Sequence, residues 1–468
     1  MDKERKKRLQ TWKIILSDIL IVVAVLGIVT LLSFIAMGYK FNDDGELDQS
    51  GLLQIETQPT GATVTIDGAD LFLRTNTSRM LSEGEHKVRL TKEGYELWEN
   101  QVKITAGRLY KLDYPRLFKQ NREKKAVKQF SDKGLKFLSV APDRKSVLYQ
   151  EVGSTNWDLV NIDSEEAETV KLDISNLTGE FLGMEWSMDG EKVLTKWKDS
   201  DIIVYRLINL RKPEQSMDLN NEFGMNFTKL KFASLSADQL FGLENGNLRR
   251  ISLVDKEVSK VLLTAVGDFY NEGANMVYTY TDEVGKTAVG FYPEGGKSVF
   301  LKNIEGSSAQ TFLSEYLGEK YIGILADGKL VVYQGSFPTA TSGLDNMRVA
   351  LEREVPEGFS TVGFSGRASG RIIAARSSNS LLTFDAEREE LFTFALNNEN
   401  FTFADDYLIA DVNGSGELYL RDFDGTNKRR LAFSAAPAYG ATISRNNKWL
   451  YYVSSNVNGT LELMREEI

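Results

Sequence analysis

The chain begins with a polar, basic block and passes into an evenly apolar one. "MDKERKKRLQTWK" carries Lys3, Arg5, Lys6, Lys7, Arg8 and Lys13 against Asp2 and Glu4, and "ILIVVAVLGIVTLLSFIAM" follows from Ile19 to Met37. Roughly 19 residues at ~1.5 Å each rise ~28 Å, one hydrocarbon thickness. Trp12 and Tyr39 flank the run, where interfacial aromatics belong. The stretch "NDDGELD" beyond it is acidic, so the positive-inside rule keeps the N-terminus in the cytoplasm and sends everything after Tyr39 across. A cleaved signal peptide and a buried soluble helix are the alternatives. A secretory apolar region is shorter, roughly 7–15 residues, and a buried helix is rarely so evenly apolar beside so basic a flank. The pattern therefore predicts a retained signal-anchor over residues 14–38 behind a cytoplasmic tail, 1–13. Asp18, at the cytoplasmic edge, can reach the interface and implies no proton chemistry.

From Gly51 to Pro115, after an acidic linker at 39–50, the period changes to two. "LLQIETQ" and "ATVTID" alternate, with Val64 and Ile66 on one face, and "GEHKVRL" turns Val88 and Leu90 inward. Pro59 and Gly61 predict one turn, and Asp67-Gly68 a tight hairpin. Several short strands with Gly-rich turns predict a small antiparallel β-sandwich over 51–115.

Past the basic stretch "PRLFKQNREKK" (Pro115 to Lys125), short alternating strands recur at a regular interval. The clearest unit is "GMEWSMDGEKVLTKW", a strand, a polar turn and a strand. Comparable turns fall at Asp143, Asp189, Asp238, Gly273, Gly318, Gly370, Asp406 and Asn446, 35 to 52 residues apart. A second hairpin is legible in "NWDLVNIDSEEAETVKL", "GNLRRISLVDKEVSKVLL", "NSLLTFDAEREELFTFAL" and "GELYLRDFDGTNKRRLAF". A period near ~43 residues with four strands per unit is that of a propeller blade. A lone blade cannot cover both of its faces, whereas blades stacked in a ring bury one another. The count is eight, with seven the alternative. The last unit offers three strands, and "KKAVKQF" (Lys124 to Phe130) is placed to supply the fourth and hide an open edge.

Two resemblances follow from these residues. Pro59-Thr60-Gly61-Ala62 with "TVTIDG", "EGEHKVRLTKEGYELW" and "ITAGRLYKLDY" resembles a PEGA domain, Thr60 standing where the family has glutamate. The resemblance implies a compact sandwich of surface and envelope proteins, a binding or spacer module without catalysis. Trp186-Ser187-Met188-Asp189-Gly190 and "LYLRDFDGTNKRRL" are similar to TolB-type propeller repeats, Met188 replacing the usual proline. That resemblance covers Leu117 to Ile468 and implies a propeller docking a protein or glycan at the end of its channel. The fold class expected is thus an all-β ectodomain, a small β-sandwich (51–115) plus a seven- or eight-bladed β-propeller (116–468), behind one N-terminal transmembrane α-helix.

Composition narrows the chemistry. The chain has no cysteine, which excludes disulfides, thiolate nucleophiles, cysteine-ligated metals and lipoprotein anchoring. Its one histidine, His86, lies between Glu85 and Lys87 on an expected strand and reads as an exposed strand residue. A net charge of −10 repels phosphate backbones, so nucleic acid is not an expected partner. "DFDGTN" (Asp422 to Asn427) lacks the spacing of a calcium loop and reads as a capped turn. "WSMDGEK" has its closing aromatic at the wrong offset for an Asp-box and reads as a hairpin turn. "YPEGGKS" (Tyr292 to Ser298) lacks the first glycine and the helix of a phosphate loop. "GSFPTATSGLDNM" (Gly335 to Met347) enlarges one blade, as ligand-lining loop or as padding.

No catalytic, cofactor-binding or metal-ligating residue is assigned, and no cofactor is expected. The sequence points to a non-enzymatic, single-pass membrane protein of the cell envelope that binds or scaffolds. The bilayer and an envelope protein or cell-wall glycan are its expected partners. The alternatives are an extracellular glycan-active propeller enzyme using carboxylates and tyrosines, and an accessory subunit of an envelope complex.

Overall fold

In the computed structural model, residues 2–36, 39–41, 47–164, 168–174, 177–306, 309–355, 360–364, 370–377, 379–396, 401–413, 415–433 and 440–468 are described. The middle of the acidic stretch, 42–46, and residues 366–369 before Gly370 lie outside them. The chain divides into two compact units, Met1–Asn121 and Arg122–Ile468.

The first unit opens with a helix, Asp2–Ala36. Its segment Leu16–Phe34 has a mean hydropathy of 2.5 and no buried residue, so it is long and apolar enough to cross a membrane. Thr30 and Ser33, the polar side chains near its end, donate to the carbonyls of Leu26 and Val29, each at 2.8 Å. No hydroxyl in that turn is left without an acceptor.

Two four-stranded sheets follow. The strands Thr63–Ile66, Ala69–Arg74, Gly84–Thr91 and Trp98–Ile104 form one of them. Its inward side chains, Val64, Ile66, Val88, Leu90, Trp98 and Val102, are buried as the alternation requires. Asp67 (φ 51°) and Gly68 (φ 84°) both take the left-handed conformation that a two-residue hairpin demands. The other sheet departs from expectation. Leu109–Leu112 runs parallel to Leu47–Ile55, with Leu52 opposite Leu109, so the sandwich is not wholly antiparallel. The chain crosses between sheets after Ile104 and re-enters in the same direction, which a hairpin cannot do. Two strands, Tyr39–Phe41 and Leu47–Ile55, also pair within the stretch read as linker.

The second unit consists, among the described residues, of eight four-stranded antiparallel sheets. Their first strands are Leu135–Val140, Glu180–Trp186, Lys229–Phe232, Val266–Glu272, Gln310–Tyr316, Ser360–Phe364, Phe401–Phe403 and Ala441–Ile443. The sheets are blades, numbered here 1 to 8. Neighbouring first strands contact one another in blades 2–3, 4–5, 5–6 and 7–8. Buried clusters join blades 1–2, 3–4 and 8–1, and Thr383 Oγ1 donates to the Phe423 carbonyl between 6 and 7. The first strands therefore line the axis of a ring. Each of the eight turns read from sequence joins the first and second strands of its blade. Buried clusters lie between consecutive blades, as with Trp157, Trp186 and Trp197 between blades 1 and 2, or Phe312, Tyr321 and Phe384 between 5 and 6. Burial between blades is what makes the ring cooperative.

Blade 8 takes its fourth strand from the other end of the unit. Lys124–Gln129 pairs antiparallel with Leu461–Glu467, Ala126 lying opposite Met464. Phe130, Tyr149, Tyr451 and Leu463 pack across this closure. The ring therefore ends on no open inner edge. Blades 2 and 3 are cut short at the outside, the outer strand of blade 3 being only Glu257–Val258; blade 2 departs further. Its outer strand is reduced to Met217–Asp218 and gives way to a short helix, Leu219–Phe223, whose buried Leu219 fills the place of strand side chains.

Candidate functional site

Repeated turn chemistry builds one end of the ring. In blade 2, Ser187 Oγ donates to Asp189 Oδ1 at 2.6 Å while the amides of Glu191 and Lys192 donate to Asp189 Oδ1 and Ser187 Oγ. Blade 8 repeats it: Ser444 Oγ donates to Asn446 Oδ1 at 2.8 Å, and the Trp449 amide to Ser444 Oγ. In blade 7 the amides of Tyr407 and Leu408 donate to Asp405 Oδ1. Side-chain acceptors satisfy amides that the turns would otherwise leave open.

Neighbouring blades are tied at the same end. Trp186 Nε1 donates to Ser139 Oγ at 2.8 Å, Asn271 Nδ2 to the Phe232 carbonyl at 3.3 Å, and Ser314 Oγ to the Gly370 carbonyl at 2.8 Å. The Ile443 amide reaches the Ala404 carbonyl at 2.7 Å. These bonds link blades 1–2, 3–4, 5–6 and 7–8, so the end is preorganised.

Inside it lies a cavity of about 370 Å³, lined from Pro142 in blade 1 to Gly370 in blade 6. Residues from the inner strands of blades 2 to 5 and from the inner turns of blades 1 and 6 can meet only on the ring axis, so the cavity is the mouth of the central channel. Its chemistry comes from Glu185, Lys231, Tyr270, Glu272 and Glu315, with Ser234, Asn271 and Ser314 between them. Lys231 Nζ stands 6.0 Å from the Tyr270 ring centroid, and Lys320 pairs with Glu315. Deeper on the same inner strand, Lys229 pairs with Asp268 and donates to the Phe269 carbonyl at 3.3 Å. Burial holds its ammonium below the ordinary lysine range. Asp268 and Glu185 oppose that shift and the like charge of Lys231 adds to it.

A larger groove, about 560 Å³, runs between the outer strands of blades 5 and 6 past Arg353, Glu389 and Phe392. Two blades form it, against six at the channel mouth. Among the described residues no group of three or more His, Asp or Glu side chains is placed to hold a metal.

His86 is not the exposed strand residue expected from sequence. It is 9% exposed, with Nδ1 2.7 Å from Asp67 Oδ2 and Nε2 2.8 Å from the Ser82 carbonyl. Alternation places it inward with Val88, and two acceptors repay the burial of its polar ring. "DFDGTN" is a capped turn: the Thr426 amide donates to Asp424 Oδ1 at 3.0 Å and Asn427 Nδ2 to Asp422 Oδ2 at 2.8 Å. The enlarged loop 335–347 sends Phe337 onto Phe291, ring centroids 4.9 Å apart, and packs on the blade 4–5 core. Apart from Met188 and Gly370, which the turn pattern marked, the mouth residues were not singled out in the sequence. The signal is a charged residue at or next to the end of four inner strands, Glu185, Lys231, Glu272 and Glu315, and its meaning depends on ring closure.

Residues 50–117 match the PEGA domain. Thr60, where the family has glutamate, lies in the bend before Thr63–Ile66 and does not disturb the PEGA pattern. No curated protein matches the chain significantly. Among solved structures it is similar to the C-terminal WD40 domain of Sif2, with 12% identity over 74% of this chain and 98% of that one, TM-score 0.46. It is also similar to oligogalacturonate lyase from Vibrio parahaemolyticus, with 11% identity over 72% and 97%, TM-score 0.38. Dipeptidyl peptidase 4 of Porphyromonas gingivalis gives 10% identity over 73% and 58%, TM-score 0.44. A propeller fold by itself does not fix an activity.

Proposed function

We propose that the chain is a membrane-anchored, extracytoplasmic binding or scaffold protein of the cell envelope. The N-terminal helix is the tether, the PEGA domain a spacer, and the propeller the docking platform. One observation carries the reading: six blades converge on a preorganised channel mouth at one end of a closed ring. A rigid concave face of that kind binds without reorganising, which keeps the entropic cost of association low. The basic flank of the helix supports an N-terminus in the cytoplasm and the rest outside. The TolB-like turn motif of blade 2 supports a propeller whose channel end meets a partner.

The test is photocrosslinking from the mouth in intact cells. A benzophenone amino acid at Leu235, on the blade 3 turn, is expected to trap one discrete envelope component. The same probe at Val284, on a turn between the second and third strands of blade 4, is expected not to. Equal trapping from both positions sinks the reading.

A glycan-active enzyme is the second reading, favoured by Glu185, Glu272 and Glu315 beside Tyr270 in one cavity. It requires one carboxyl as acid and another as base or nucleophile. Release of reducing sugar from cell-wall glycan by the purified protein, abolished by Glu272→Gln, would establish it.

A further inference from the structure

The rim and floor of the channel mouth differ in character. Met188, Leu235 and Leu317 sit on the inner turns of blades 2, 3 and 5, exposed by 41%, 66% and 65%. Together they give the opening an apolar rim, the kind of surface a partner covers. The floor is acidic on balance, since Glu185, Glu272 and Glu315 line it with one lysine, Lys231, while Lys320 pairs with Glu315 from outside the lining. Sugar rings need open aromatic faces. Tyr270 has Lys231 over its ring, Phe232 is 3% exposed, and the exposed apolar residues of the rim are aliphatic.

We propose that the mouth accepts a protruding segment of a partner protein that presents a lysine or arginine between apolar side chains, rather than a glycan. The inference rests on the docking reading above and specifies its partner. The aliphatic tips of the segment cover Leu235 and Leu317, displacing water from both surfaces. Its cation enters the cavity toward Glu185 and Glu272, where reduced solvation strengthens a charge-assisted contact. A cavity of about 370 Å³ takes one long side chain and part of its backbone, and excludes a folded domain.

The test uses the full chain in detergent micelles and three cyclic hairpin peptides showing Leu-Lys-Leu, Leu-Glu-Leu or Ser-Lys-Ser at the tip, beside a chito-oligosaccharide. Calorimetric titration is expected to give at least ten-fold tighter binding of Leu-Lys-Leu than of the other two. Glu185→Gln with Glu272→Gln is expected to reduce the lysine-over-glutamate preference below threefold, and Leu235→Ser with Leu317→Ser to weaken binding at least ten-fold. Thermal unfolding of each variant reports that the fold is kept. Equal binding of all three hairpins, or oligosaccharide binding lost in Leu235→Ser, overturns the proposed partner and leaves docking at the mouth intact. Binding of a hairpin or the sugar that no mouth variant alters, or no binding of any probe, overturns the docking reading as well.

Discussion

Lys124, the first residue of the closing strand, points its Nζ at Glu466 Oε2, 3.6 Å away on the last strand of the chain. Glu466 is fully buried, pairs also with Arg122, and accepts from Tyr452 Oη at 3.0 Å. Burial, and beside it the Glu466 charge, pushes the Tyr452 hydroxyl upward, so it stays a neutral donor. The two ends of the propeller sequence are thus joined by strand pairing and by a buried carboxylate with cations from the entering strand.

Glu466→Ala leaves Arg122 without its buried partner and is expected to cost about 3–5 kcal/mol. Deleting residues 122–129 uncovers the edge of Leu461–Glu467 and is expected to give concentration-dependent aggregation. Denaturant unfolding and light scattering measure the two outcomes.

Arg371 and Asp385 form a second buried pair, both fully enclosed, through bonds of 2.7 and 2.9 Å. Arg371→Met is expected to destabilise by up to about 3–5 kcal/mol because, among the described residues, the buried carboxylate keeps only Arg388, 3.5 Å away, as a charged partner. Arg371→Met with Asp385→Leu removes both charges, leaves Arg388 paired with Asp424 at 3.7 Å, and is expected to recover about 1 kcal/mol of that loss, roughly the coupling of contacting residues. A thermodynamic cycle by chemical denaturation checks it.

Gly323 faces the ring of Phe312, and an added Cβ would fall 1.5 Å from Cζ. The strand accepts that aromatic only because the position has no side chain. Gly323→Ala is expected to destabilise by about 1–3 kcal/mol. Adding Phe312→Leu should restore part of the loss, read as a rise in melting temperature over the single variant.

Much of this architecture was legible in the sequence. Asp143, Asp189 and Asn446 mark chemistry that is local, an acceptor two residues from the amide it satisfies. Lys124–Phe130 was recognisable because the last unit was one strand short. The parallel pairing of Leu109–Leu112 was not, since alternation gives a strand's faces and not its direction. His86 was misread because its flanking charges suggested solvent, while its period-two position put it inward. The channel mouth was hidden for a different reason: Glu185, Tyr270 and Glu315 are distant along the chain and meet only when the ring closes.

The carboxyl of Asp67 gives the sandwich a pH dependence. Burial works to raise it, but the His86 ring, the Lys87 amide and the imidazolium charge outweigh burial and hold it below the ordinary aspartate value. A depressed folded pKa adds stability that is present above the unfolded value, about 3.9, and is lost as pH falls through the folded one. Hydrogen exchange at the Lys87 amide, which donates to Asp67 Oδ1 at 2.8 Å, should show greater protection in wild type than in Asp67→Asn at pH 6. The difference should shrink below about pH 4.

The chain has no cysteine, which makes its placement directly measurable. Leu235→Cys at the channel mouth and Lys6→Cys in the basic tail each supply one thiol for a membrane-impermeant maleimide. The account predicts that Leu235→Cys reacts in intact cells as fully as after lysis, while Lys6→Cys reacts only after lysis. Labelling of Leu235→Cys that required lysis would contradict a docking face held outside the bilayer.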